Sequence, residues 1–235
     1  MASMKDKILF IVTSALNADM GVVSRNDRLD QTVKGLISIR KYVPDAIILL
    51  AEGSPHQVEP EKLKILSHFA NFAADFSTDA QISELAVNHR KSEAENLLLL
   101  KTLMLLKQDE GMKEVMSHVG RIVKISARTD LTDGFNIEEH MVEGKYVFKK
   151  RMPTWLSDSR KEFATDLLIT RMFSFCPTLM DDYMKMCEHN IALVLQTRID
   201  TEHAHFVNIN KDLLVELDTI HCQGIVAGTG QSEIY

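Results

Sequence analysis

The sequence predicts an α/β domain: a central mixed, mainly parallel sheet with helices on both faces. Three observations carry this. Residues 7–13, KILFIVT, are an unbroken apolar run ending in small polar residues, as a parallel strand buried on both faces does. A helical stretch and a second apolar run, AIILLA at 46–51, follow it, and strand–helix–strand at this spacing is a right-handed βαβ unit by default. Finally, RIVKISARTDLTD at 121–133 begins as a strand and turns abruptly polar, as a strand does where it reaches a ligand edge.

Taken in order, the first strand is followed by SALNADMGVVSRNDRLDQ, which contains neither a GxGxxG fingerprint nor a P-loop. That lowers the case for a nicotinamide dehydrogenase or a P-loop kinase. Asn26 or Asp27 is placed to cap a helix reaching Tyr42, with Leu29, Val33, Leu36, Ile37 and Val43 inward. Pro44 and Asp45 break it before the second strand, which closes in the turn Glu52-Gly53-Ser54-Pro55. Residues 60–69 read as a short surface helix and 71–76 as a third strand. One helical region is expected over 82–107, its leucine-rich part (97–106) buried all round against the sheet. Gly111 marks a break, and 112–119 form a short helix ahead of the central strand.

Beyond Asp133 come a short helix, a strand at 145–149, and further strand material at 153–156 and 166–175. Pro177 starts a helix running to Leu195, with Leu179, Tyr183, Met186 and Cys187 at helical spacing. DTEHAHFVNIN at 200–210 is a helix capped by Asp200 or Thr201, and strand-like segments at 213–217 and 220–227 precede a glycine-flanked tail. No internal repeat or low-complexity linker divides the 235 residues, so one domain is expected, its second half more mixed than its first.

Composition narrows function. A formal charge of -6 argues against a general nucleic-acid binder, though one nucleotide needs only a local basic patch. Cys176, Cys187 and Cys222 are widely spaced and read as reduced core thiols, not a disulfide frame or zinc site. The first apolar run is too short for a membrane span and lacks signal-peptide flanks, so a cytoplasmic protein is expected.

The polar end of the central strand offers the chemistry. Asp130 supplies a hard oxygen ligand suited to Mg²⁺ or Mn²⁺, which would neutralise a diphosphate; alternatively, Asp130 and Asp133 bond only to local backbone in an Asx-type turn. Arg128 has the fork geometry for phosphate, or is a solvated turn residue. Lys91, in the basic patch NHRKSEAE, suits pyrophosphate as a point charge, or pairs with Glu95 along a helix face. Trp155 and Tyr146 form either an acceptor platform or part of the core, and a lone tryptophan favours core.

Four motifs in this order resemble the GT-A type glycosyltransferases that use nucleotide-sugars, including transferases of bacterial surface polysaccharides and of chlorella-virus capsid glycans. They are RLDQT (28–32), the strand ending Glu52-Gly53-Ser54, Lys91-Ser92-xx-Glu95, and KISARTD (124–130) where the family carries Asp-x-Asp. The first acid of that motif is Arg128 here, leaving Asp130 as its single carboxylate. The resemblance implies a GT-A-like sheet, with residues 1–130 as the nucleotide-sugar half and 131–235 as the acceptor half. It implies a uridine-linked donor, Mn²⁺ or Mg²⁺ on Asp130, and a glycan or glycoprotein acceptor. Thr13, Ser14 and Arg28 would meet the nucleoside, and Glu52 a base N–H or ribose hydroxyl. Lys91 and Arg128 would meet the phosphates, and Glu202 would serve as the acceptor's base. His203, His205 and His221 are then candidates to complete a metal shell. Two rivals remain at this stage: a nucleotidyltransferase that makes nucleotide-sugars, and a non-catalytic binding domain of the same fold.

Overall fold

The computed structural model describes residues 6–18, 24–225 and 232–235. The expected loop after the first strand at 19–23, and the end of the expected last strand with the glycine-flanked tail at 226–231, lie outside the described residues. In chain order the first half comprises β1 (Lys7–Ser14), α1 (Arg25–Tyr42), β2 (Ile47–Glu52), α2 (Pro60–Leu66), β3 (Phe72–Asp75), α3 (Ala80–Val87), α4 (Lys91–Gln108), α5 (Glu110–Ser117) and β4 (Val119–Ser126). It continues through β5 (Thr129–Leu131), β6 (Tyr146–Lys149), β7 (Met152–Pro153), β8 (Asp166–Leu167), β9 (Met172–Phe175), α6 (Met180–Thr197), α7 (Thr201–Asn208), β10 (Leu214–Leu217), β11 (Cys222–Ile225) and β12 (Ser232–Ile234).

The central sheet has the order β10-β6-β9-β4-β1-β2-β3, and only β9 runs antiparallel to its neighbours. This is the mixed, mainly parallel α/β architecture the apolar runs predict. Alternation along β1 explains the burial on both faces. Ile8, Phe10 and Val12 join Leu36 and Ile39 of α1 in one core, while Leu9 and Ile11 join Leu99 and Leu103 of α4 and Tyr183 of α6 in the other. No helix among the described residues is long and apolar enough to cross a membrane.

Several local expectations are corrected. The cap of α1 is Ser24, whose hydroxyl accepts from Asp27 N–H at 3.2 Å, so the helix starts before Asn26 and Asp27. The single helix expected over 82–107 is two. His89 takes φ +59°, Arg90 N–H bonds back to Leu85 O (2.8 Å) and His89 N–H to Ala86 O (3.2 Å). That is a Schellman ending, made by histidine where glycine is usual, so the boundary leaves little trace in composition. The break near Gly111 belongs to Asp109, whose carboxylate caps α5 by accepting from Met112 N–H at 3.0 Å. The run at 166–175 is two short strands with an irregular turn between them, and 153–156 contributes only its first residue to β7. Trp155 is 58% exposed, not core, and its Nε1 donates to Asp200 at 3.0 Å; Tyr146 is fully buried.

Asp130 is carried away from the central sheet. After Ser126 the chain enters a second sheet, in which β5 pairs with β11 and Asp130 stands opposite Gln223. Helix α1 lies directly on this crossing: a Cβ at Gly35 would come within 2.9 Å of Ala127 O and 3.0 Å of Thr129 O. Glycine is what lets helix and turn meet so closely.

Candidate functional site

The C-terminal ends of β1, β2 and β4 open onto one cavity of about 400 Å³. Strands on either side of β1 leave it in opposite directions, β2 and β3 one way and β4 the other, so the cavity sits at the switch point where open α/β sheets bind ligands. Of the residues singled out in the sequence, Thr13, Ser14, Arg28, Lys91, Arg128 and Glu202 line it together. Glu52 and Asp130 do not.

Glu52 lies one layer beneath, 1% exposed, and its carboxylate is occupied by the chain itself. It accepts from the Ser14 and Ser54 hydroxyls, from Ser54 N–H at 2.8 Å and from Leu16 N–H at 3.2 Å. Burial raises its pKa, and these four donors oppose the rise. A carboxylate so engaged has little left for a base or ribose; what it does is hold the end of β1 in place. Asp130 likewise has a protein partner, Lys34 Nζ of α1 at 2.6 Å.

The cavity is rich in cations. Arg28, in the first turn of α1, donates to Ala15 O at 3.3 Å. Burial lowers its pKa, with the Glu52 charge opposing. Arg171 donates to Ile225 O at 3.1 Å and stacks over Tyr235 with its guanidinium 5.3 Å from the ring centre. Arg128 lines the same cavity. Burial, then the like charges of Arg28 and Arg171, push it down to about 10. Its Nη1 is buried with no hydrogen-bond partner among the described residues. Lys91, the first residue of α4, adds a fourth positive charge to the lining.

The acids are arranged differently. Glu95 takes Lys124 Nζ at 2.8 Å, and that lysine, fully buried on β4, also donates to Thr170 O at 2.7 Å. Burial would raise Glu95, but the Lys124 and Lys91 charges win and hold it at about 2. Glu202, on α7, accepts from the Thr170 hydroxyl at 3.1 Å. Its pKa is raised, first by burial and then by the nearby Glu95 and Asp200 charges. One acid is therefore locked as an anion and the other is biased toward holding a proton.

Sequence reasoning missed Thr170 and Arg171. Because β9 runs backwards, the residues just before it, not those after it, arrive at the edge where β4 ends; Ser126 N–H bonds to Arg171 O at 2.8 Å.

A divalent cation at Asp130 does not fit this arrangement. Its carboxylate is paired with a lysine, it lies outside the cavity lining, and no group of three His, Cys, Asp or Glu residues is placed to hold a metal among the described residues. None of the three candidate histidines lines the cavity. His203 bridges Asp200 (2.5 Å) and Thr154 (2.7 Å), and His205 packs in the core against Tyr183 Oη (3.0 Å). His221 sits beside Gly134.

No family model and no curated protein matches this chain. Among solved structures, one described as a glycosyltransferase involved in the glycosylation of the major capsid of PBCV-1 covers 90% of this chain and 81% of its own. The TM-score is 0.45 at 8% sequence identity.

Proposed function

We propose that this chain is a glycosyltransferase that moves a sugar from a uridine-linked nucleotide-sugar to a glycan acceptor. The observation that carries this is the grouping of Arg28, Arg128 and Arg171 with a single proton-biased carboxylate, Glu202, in one cavity at the switch point of the sheet. Guanidinium groups suit the oxygens of a diphosphate, to which they can donate in pairs. The unmet Arg128 donor is a position where such an oxygen would be welcome. The motif resemblance set out from the sequence supports the same donor class.

In this reaction the acceptor oxygen bonds to the anomeric carbon as that carbon's bond to the phosphate oxygen breaks. The electron pair of the broken bond stays on the departing diphosphate, and the acceptor's proton passes to Glu202. A carboxylate with a raised pKa is a better base than an ordinary one. Thr13 and Ser14 face the nucleoside, Ser14 being fixed by Glu52, and the part of the chain beyond β5, apart from Arg171, shapes the acceptor side.

The test is release of nucleoside diphosphate from a panel of nucleotide-sugars, with and without short glycan acceptors. Turnover of a uridine-linked donor that is lost in Glu202→Gln is expected. Binding of nucleotides with no turnover of any donor would leave a non-catalytic nucleotide-binding domain.

A further inference from the structure

Resting on that reading of the cavity, we propose that the charge of the departing diphosphate is taken up by Arg28, Arg128 and Arg171 in place of a divalent cation. Any donor of this class leaves as a polyanion, and its departure needs positive charge held in advance where the electron pair arrives. A metal ion usually supplies that charge, but it needs several free oxygen ligands. Among the described residues, the acids lining this cavity are Glu95 and Glu202. Glu95 is consumed by Lys124 at 2.8 Å, which leaves Glu202 as the one available carboxylate among the described residues of the lining.

Charge points the same way as ligand number. Three guanidiniums and Lys91 line the space a metal would enter, and two of those guanidiniums already act on Arg128 as like charges. A dication placed among them meets the repulsion of four cations, whereas an anion meets their attraction. The arginines are also set in advance. Arg171 is tied to Ile225 O and stacked on Tyr235, and Arg28 is tied to Ala15 O, so neither must reorganise as charge develops. Arg128 then offers an Nη1 donor that has no partner among the described residues. Arg171, which no motif marks, thereby joins the charge-neutralising set.

Calorimetry on the full chain tests this, with the diphosphates of uridine, cytidine, adenosine, guanosine and thymidine, and inorganic pyrophosphate, each in EDTA and then in MnCl₂. At least one nucleoside diphosphate is expected to bind in EDTA, with Mn²⁺ leaving its affinity unchanged or weaker, because Mn²⁺ competes for the same oxygens. Arg128→Gln and Arg171→Gln are each expected to weaken binding by about tenfold to a hundredfold, as loss of a charged hydrogen bond does. Arg128→Lys should recover part of that loss, since it keeps the charge without the fork. Thermal melts of each variant report folding separately. Binding that strengthens tenfold or more with Mn²⁺, or folded Gln variants that bind as tightly as the parent, would overturn the inference while leaving the transferase proposal standing. No binding of any diphosphate in either condition would overturn both.

Discussion

Lys124 Nζ, fully buried on the central strand, lies 2.8 Å from the Glu95 carboxylate of α4 at the wall of the cavity. The pair ties a helix to the sheet and keeps an acid ionised beside four cations. Removing one partner strands the other's charge, which costs about 3–5 kcal/mol for a buried pair. Lys124→Met and Glu95→Gln should each lower stability by that order in urea unfolding. The double variant should recover much of the loss, a coupling a double-mutant cycle would read directly.

Glu202 sets a second expectation. With its pKa raised above the ordinary carboxylate value, it is ionised only above that raised value. The acidic limb of kcat/KM should therefore lie at higher pH than an unperturbed glutamate gives, with activity rising as pH increases through it. Glu202→Gln should reduce kcat by about 10²–10⁴-fold and remove that limb, with nucleotide affinity little changed.

Much of this was legible in the sequence, for physical reasons. Strands buried on both faces are written as continuous apolar runs, and the cavity lies where such runs turn polar. Arg128 follows from that, and Lys91 from a basic patch at a helix start. Thr13, Ser14, Arg28 and Glu202 come through the family resemblance, and the cavity gathers all six. Asp130 misled because its surroundings depend on β5 pairing with β11, a contact made much later in the chain that leaves no local mark. Spacing along the chain pairs Glu95 with Lys91, whereas its hydrogen-bonded partner, Lys124, comes from a strand. Arg171 hid in DLLITRMFSF, an apolar stretch whose middle is a turn.

Glu52 should behave as a positioning residue. Glu52→Ala leaves the Ser14 hydroxyl and the Leu16 and Ser54 N–H groups without their acceptor, and each unmet buried donor costs about 1–3 kcal/mol. Thermal stability should fall measurably. Glu52→Gln, which keeps an acceptor oxygen, should recover part of the stability and of the nucleoside diphosphate affinity in calorimetry.

Acid sensitivity follows from two core histidines. Burial comes first in holding both His140 and His205 at about 4, against an ordinary 6.5; the Arg121 charge adds to it at His140, while the Thr201 carbonyl opposes it at His205. Both stay neutral when folded, while the unfolded chain takes up protons below 6.5, so folding loses stability as pH falls. The contribution is complete above about 6.5 and is lost by about pH 4, at up to about 3 kcal/mol per residue. Urea midpoints measured from pH 7 to pH 4 should decline across this window. His205→Asn, if folded, should flatten part of the slope.

The reversed direction of β9 has an outcome for how the molecule opens and closes. Arg28 arrives with the first helix and Arg171 with the last strand to enter the middle of the sheet, so a polyanion held between them staples early chain to late chain. Occupancy would then slow amide exchange in both segments together, and the ligand would act as a lock on the whole sheet edge.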